Sequence, residues 1–307
     1  MTNILVIKHG SLGDIVLAMH PLFSIKKNFK DSKITILTEP KYYTLFKHIP
    51  FIDEIKVDER NNFFYFLYFV RLCIWFYQQK FDWVFDLQTS TRTNIYFYFF
   101  SIFSNFNWSG IAKNCSHPHL GVKRKTLHTL DRQRKQLELA GIKNEAKVNW
   151  NCFKSNISRF KLPKHLYVLV IGGSKHRPQK RWSIKKYIKL IKYLNEINIK
   201  PALIGGKEEK EYLLRKEFLK LIYYDLIGKT NFSDLAEIAR NAKYIIGNDT
   251  GPMHLLTQCS KAKSKKIILF GKDSNPKLCA PVGENVSIIQ KLDINNILLK
   301  DVIKLID

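Results

Sequence analysis

Apolar residues fall into two alternating patterns along this chain. Short runs rich in β-branched and aromatic residues sit at 4–8, 33–38, 52–57 and 81–87, and these predict buried strands. Between them the apolar positions recur every three or four residues. Leu12, Ile15, Val16, Met19, Leu22 and Phe23 mark one amphipathic helix, and further helices are expected at 63–79, 94–103 and 128–140. The pattern pauses at 158–164, S-R-F-K-L-P-K, and then restarts. Strands are expected at 166–171, 202–204, 224–227, 244–246 and 266–270. Ile184, Tyr187, Ile188, Ile191 and Leu194 trace a helix, and Asn231 with Asp234 forms a capping-box variant ahead of another at 235–241. A closing helix is expected at 294–306.

Alternating strands and helices imply parallel sheets with helices on both faces. Two such series predict an α/β chain of two Rossmann-like doubly wound domains, residues 1–157 and 158–307, facing across a cleft. Open sheets of this kind bind ligands beyond the carboxyl ends of their strands. The strand-end loops are therefore where chemistry is expected.

Composition narrows the choice of partner. The 307 residues carry 51 Lys and Arg against 26 Asp and Glu, a formal charge of +25. Such a field attracts polyanions: nucleic acid, anionic membrane or phosphorylated substrates. Genomic drift toward Lys, Ile, Asn and Phe accounts for the excess equally well. The basic residues are spread along the chain without an established nucleic-acid motif, so nucleic acid is not an expected partner and stands only as the alternative from another class. Five cysteines without a C-x-x-C pair point to a reducing compartment. Cys115, His117 and His119 do not have a usual zinc spacing. The N-terminal run reads as a strand, not a signal peptide. The most lipid-like segment, 63–77, contains Arg71 and is shorter than the roughly 20 residues that a bilayer span needs.

Four strand-end loops carry candidate chemistry. The first, at 8–14, has glycines for a tight turn and places Asp14 in the first turn of the next helix; the plainer role for that carboxylate is to complement the helix dipole. The second joins Gly172, Gly173 and Ser174 to Arg177, Lys180 and Arg181, a set suited to a diphosphate or simply a solvated basic loop. In the third, Gly205-Gly206-Lys207-Glu208-Glu209, a carboxylate can accept from sugar hydroxyls or decorate a helix start. The fourth, at 247–254, is the most specific: Asp249, Thr250 and Gly251 lead into a helix with Pro252 in its first turn, and free N–H groups at such a start bind phosphate oxygens.

Taken in order, K-H-G-S-L-G-D-I, F-D-L-Q-T-S-T-R-T, K-R-W-S, G-G-K-E-E and G-N-D-T-G-P-M-H-L resemble the ADP-heptose:lipopolysaccharide heptosyltransferase family nearly end to end. The resemblance implies a GT-B fold, an ADP-heptose donor, a lipid A/Kdo-type lipopolysaccharide acceptor and an inverting transfer; the enzymatic alternative is a GT-B transferase using another nucleotide sugar, since the sequence does not display the base-pocket contacts that select ADP over UDP. It implies a cytoplasmic protein in reversible contact with the anionic inner face of the inner membrane. By the same resemblance Asp14 is the catalytic base. Ser174, Lys180, Glu209, Asp249, Thr250, Gly251 and His254 hold the donor, and Ser11, Gln88 and Arg92 lie on the acceptor side. No D-x-D occurs, so no metal and no cofactor are expected. The chain departs from the family pattern at Thr89-Ser90, where Gly-Leu is common, and at Gly172 and Ser183, where proline is common. It also lacks paired threonines at 174–176. Most of these differences bear on the acceptor.

Overall fold

The computed structural model describes residues 1–60, 65–142, 145–173 and 176–306. The chain divides into two compact units, Met1–Cys152 and Phe153–Asp307. The division falls a few residues before the expected one because the stretch ahead of the sequence-predicted linker is already tied to the second unit. Phe153 is buried, Ser155 Oγ donates to Asp234 Oδ1 at 2.6 Å, and Arg159 Nη2 meets Asp234 Oδ2 at 2.6 Å.

The first unit holds β1 (Thr2–Ile7), β2 (Ser32–Thr38), β3 (Glu54–Val57), β4 (Trp83–Asp86), β5 (Asn107–Gly110) and β6 (His117–Pro118). They form one six-stranded parallel sheet in the order β3-β2-β1-β4-β5-β6. The second unit holds β7 (Leu166–Val170), β8 (Ala202–Ile204), β9 (Tyr224–Asp225), β10 (Ala242–Asn248), β11 (Lys265–Phe270) and β12 (Val286–Gln290), in the order β12-β11-β10-β7-β8-β9. It too is parallel throughout. The two orders are the same doubly wound order, each with its first and fourth strands adjacent at the point where the winding reverses. Ile7 pairs with Asp86 at one such point and Val170 with Gly247 at the other.

The apolar runs become these strands because both faces of each sheet are covered. Ile4, Leu5 and Ile7 of β1 and Val168 and Leu169 of β7 are essentially inaccessible to water. Helix Leu12–Asn28 buries Ile15, Val16, Met19 and Leu22, and helix Ile184–Glu196 buries Tyr187, Ile188, Ile191 and Leu194, as their spacing requires. No helix among the described residues is long and apolar enough to cross a membrane.

Several elements depart from the periodicity. β5, β6 and β12 were not expected, because N-W-S-G and H-P are short and polar and V-S-I-I-Q is only partly buried. The expected helix at 94–103 starts earlier, as Thr91–Phe103, because Ser90 caps it through Thr93. The closing helix at 294–306 is instead a turn, Ile294–Asn296, and a short helix, Leu299–Ile303. Ile297 and Leu298 are extended between them, and the Ile297 carbonyl accepts from Trp182 Nε1 at 3.1 Å and Lys186 Nζ at 2.7 Å. Asp301 then restarts the helix by accepting from the Leu298 N–H.

Candidate active site

In the first unit the loops after β1 and β4 meet at the switch point. Gln88 joins them: its Oε1 accepts from Lys8 Nζ at 3.2 Å, from the His9 N–H at 3.2 Å and from the Gly10 N–H at 3.5 Å. The turn at Gly10 is tight, since a Cβ there would stand 3.0 Å from the Tyr42 ring. Beyond it Ser11 precedes the first residue of helix Leu12–Asn28. Asp14, half-buried in the first turn, accepts at Oδ2 from the Ser11 N–H at 3.1 Å and Ser11 Oγ at 2.9 Å. Burial holds the Lys8 ammonium below its ordinary value, against the opposing pull of the Asp14 and Asp86 carboxylates.

Asp86 closes β4 and is wholly buried. Its Oδ1 accepts from the Gln88 N–H at 3.0 Å and the Thr89 N–H at 2.8 Å, which folds the loop back on itself. Burial pushes its carboxyl up to about 6, although those N–H groups favour the charged form. Thr89 takes a left-handed backbone (φ 47°), one reason that glycine suits this position, and its Oγ1 accepts from Arg124 Nη2 at 2.8 Å.

Arg92 lies one residue into the helix that follows. Its Nη1 reaches Tyr96 Oη at 3.4 Å and stands 4.0 Å from Asp58 Oδ1. Asp58 is fully buried, accepts from Tyr96 Oη–H at 2.6 Å and lies 2.9 Å from His9 Nε2. Burial raises its carboxyl, but the contacts with His9 and Tyr96 and the charge of Arg92 outweigh this and hold it below the usual range. Ser11, Asp14, Gln88 and Arg92 are thus all carried at the carboxyl end of one sheet.

The second unit builds its switch point differently. Asn248, the last residue of β10 and fully buried, accepts at Oδ1 from the Trp182 N–H at 2.9 Å and Tyr187 Oη–H at 3.1 Å. Its Nδ2 donates to the Gly172 carbonyl at 3.1 Å. One neutral amide therefore ties the end of β10 to the loop after β7 and to the start of helix Ile184–Glu196. Gly247 is needed beside it: a Cβ there would sit 2.6 Å from Val170 Cβ and 2.9 Å from Met253 Sδ.

Asp249 follows, and its Oδ2 accepts from Lys180 Nζ at 2.9 Å with both groups largely buried. Thr250 caps helix Gly251–Cys259, with Pro252 in the first turn, and its carbonyl accepts from the Met253 and His254 N–H groups. Thr250 Oγ1 is buried and has no hydrogen-bond partner among the described residues. The His254 ring is buried in the same turn. Glu209, only 2% exposed, accepts from the Gly206 N–H at 2.6 Å and lies 3.3 Å from Arg181 Nη2. A Cβ at Gly172 would meet Glu209 Oε2 at 3.0 Å, which fits glycine where proline is common. Lys180, Glu209, Asp249, Thr250, Gly251 and His254 are each placed by the loops after β7, β8 and β10; Ser174 lies outside the described residues.

A family model described as glycosyltransferase family 9 (heptosyltransferase) matches residues 76–298. The chain belongs to this family. A stretch of 128 residues is 27% identical to lipooligosaccharide heptosyltransferase 2 of Haemophilus influenzae, covering 39% of this chain and 35% of that protein. The enzyme of the same name from Haemophilus ducreyi is 28% identical over 126 residues, covering 39% of this chain and 36% of the relative. The chain thus matches about a third of the length of these curated relatives.

Solved structures align over nearly the whole chain. A family 9 glycosyltransferase from Veillonella parvula has TM-score 0.79 at 20% identity, covering 99% of this chain and 95% of that one. E. coli ADP-heptose lipopolysaccharide heptosyltransferase II has TM-score 0.75 at 16% identity, covering 100% and 97%. The E. coli heptosyltransferase WaaC with ADP has TM-score 0.76 at 15% identity, covering 99% of each chain. At these identities the likeness establishes the fold, which is GT-B.

Sequence reasoning missed the buried partners. His9, Asp58 and Tyr96 come from three separate segments, and only the fold brings them together. Asp86 and Asn248 stood inside quoted motifs, and a polar residue closing an apolar strand was their available signal.

Proposed function

We propose that the chain is an inverting heptosyltransferase that moves a heptose from ADP-heptose onto the lipopolysaccharide inner core. The first unit takes a lipid A/Kdo-type acceptor and the second takes the ADP-sugar. The reading is carried by the matched construction of the two switch points. One presents a carboxylate held by Ser11, and the other presents a lysine, a buried hydroxyl and a helix N-terminus.

In the transfer an acceptor hydroxyl attacks the anomeric carbon, the bond to ADP breaks, and Asp14 takes the hydroxyl proton as the new glycosidic bond forms. Ser11 keeps the Asp14 carboxylate oriented through Oδ2. The charge left on ADP is met by Lys180 and by the N-terminal end of helix Gly251–Cys259 near Thr250 and Gly251, with Asp249 holding Lys180 in place. His254 packs under that turn, and Glu209 contacts the donor's nucleoside or sugar. Gln88 shapes the Asp14 loop, and Arg92 offers positive charge to the acceptor. These groups meet the diphosphate without a metal ion. The enzyme works in the cytoplasm and touches the anionic inner face of the inner membrane reversibly.

The decisive experiment incubates the protein with ADP-heptose and truncated lipopolysaccharide acceptors and reads the products by mass spectrometry, with UDP-sugars as competing donors. A single added heptose supports the reading, and transfer only from a UDP-sugar refutes the donor.

A further inference from the structure

Helices Tyr65–Gln79 and Thr91–Phe103 lie side by side in the first unit, and each is apolar on two faces. The inner faces make the core: Phe69, Leu72 and Phe76 on one helix and Tyr96, Phe97 and Phe100 on the other are buried. Phe76 stacks on Phe100 with ring centroids 3.9 Å apart. A second face repeats at helical spacing and meets solvent. On the first helix it runs through Phe66, Val70, Ile74 and Tyr77, and on the second through Ile95, Phe99, Ile102 and Phe103. Phe66 is 74% exposed and Phe103 is 73% exposed. The two outer faces line a groove of about 830 Å³ whose walls include Phe66, Val70, Ile74, Tyr77, Phe99 and Phe103. A helix that is hydrophobic all round ordinarily has both faces covered, and an exposed apolar patch of this kind marks a contact surface.

Charge decides what covers it. Neither helix contains an Asp or a Glu. Arg71 projects from the first helix, Lys80 follows its end, and Lys113, whose carbonyl accepts from Tyr98 Oη–H, adjoins the second; all three are exposed. A second copy of the same chain would bring another +25 against this one. An anionic bilayer instead offers apolar interior to the rings and negative headgroups to the cations. Aromatic side chains favour that interface.

We infer that this groove is the membrane-docking site, with the exposed rings of the two helices inserted at the headgroup boundary of an anionic bilayer and Arg71, Lys80 and Lys113 on its surface. This rests on the membrane contact proposed above and not on the transfer chemistry.

The test is flotation of the full chain with phosphatidylcholine vesicles, with and without phosphatidylglycerol, at low and high salt. The parent, the double variant Phe66→Ser/Phe103→Ser and Arg71→Glu are compared. Both variants alter exposed side chains, and circular dichroism melts check that they fold. The parent is expected to float with anionic vesicles and to lose binding in high salt. The double variant is expected to bind at least about tenfold more weakly. Arg71→Glu is expected to lose several-fold on anionic vesicles only, and transfer to a deacylated soluble acceptor should be unchanged in both variants. Parent binding that survives in the double variant would overturn the assignment while leaving the membrane contact standing elsewhere. No parent binding at low salt would overturn both and leave the transfer reading untouched. Self-association of the parent that the double variant abolishes would give the groove to a second copy instead.

Discussion

The two halves of the molecule solve one topological problem with opposite chemistry. Each has the same strand order, and in each the fourth strand of the sheet ends on a fully buried polar residue beside the switch point. In the first unit that residue is Asp86, a carboxyl that burial pushes up to about 6 although the Lys8 and Arg124 cations are near, with His9 and Asp58 paired nearby. In the second it is Asn248, a neutral amide that satisfies three partners without any charge. A doubly wound sheet can thus be tuned at this one position. A buried ionic network makes the local field responsive to pH and to an incoming anion. A neutral amide clamp keeps the backbone rigid and leaves the nearby charges, Lys180 and Asp249, to pair with each other.

The largest expected effect separates the halves by function. Asp14→Asn should slow transfer by about 10²–10⁴-fold while ADP affinity stays the same, because the proposed base and the proposed ADP-binding residues belong to different units. Single-turnover rates and calorimetry check this, and a rate within about tenfold of the parent would exclude Asp14 as the base.

Exchanging the chemistry of the two strand ends comes next. Asn248→Asp should cost about 3 kcal/mol of stability at neutral pH, since a buried carboxylate cannot donate to the Gly172 carbonyl and lacks a cation of its own. Urea unfolding measures it, and a loss below about 1 kcal/mol would show that the amide clamp is dispensable.

Lys180→Ala removes the charged group beside Asp249. ADP-heptose should bind about tenfold more weakly, because the diphosphate is deprived of one charge-assisted hydrogen bond. Unchanged affinity in calorimetry would reduce Lys180 to a structural partner of Asp249.

The smallest effect lies in the pH response. Asp86 has a folded value of about 6 against an ordinary 3.8, so its charged form is the one that burial penalises. Its contribution to stability is fully present below the ordinary value and is lost as pH rises through about 6. Lowering the pH from about 7 to 5 should therefore favour the parent over Asp86→Asn by about 1 kcal/mol. Paired denaturation curves test the sign. A parent that loses stability relative to Asp86→Asn on acidification would contradict the burial argument, and Asp58, held low, is common to both proteins.

The alternation of apolar runs made the architecture legible, because buried strands and amphipathic helices write their periods directly into the sequence. The edge strands escaped. N-W-S-G and H-P lack apolar runs of their own and are held by neighbours: Trp83 pairs with Asn107, and Ser109 with His117. The closing helix misled for a related reason, since the Ile297 carbonyl serves Trp182 and Lys186 instead of a helical N–H. Site residues inside loops near a glycine turn could be read from their motifs. Asp58 could not, because it follows a short strand far in sequence from His9 and Tyr96 and has no motif of its own. Lys8 and Gln88 were visible as letters, but that they hold one another required the sheet to bring the β1 and β4 loops together.

The hydroxyl of Thr250 has a practical consequence for inhibitor chemistry. A compound aimed at Lys180 must compete with the Asp249 carboxylate already in contact with it. An acceptor group that reaches Thr250 Oγ1 meets a buried hydroxyl with no hydrogen-bond partner among the described residues. The new bond is then not discounted by an internal one broken. On the proposed donor site, a scaffold that carries a neutral oxygen to the start of helix Gly251–Cys259 gains affinity without the multiple negative charges that keep diphosphate mimics out of cells.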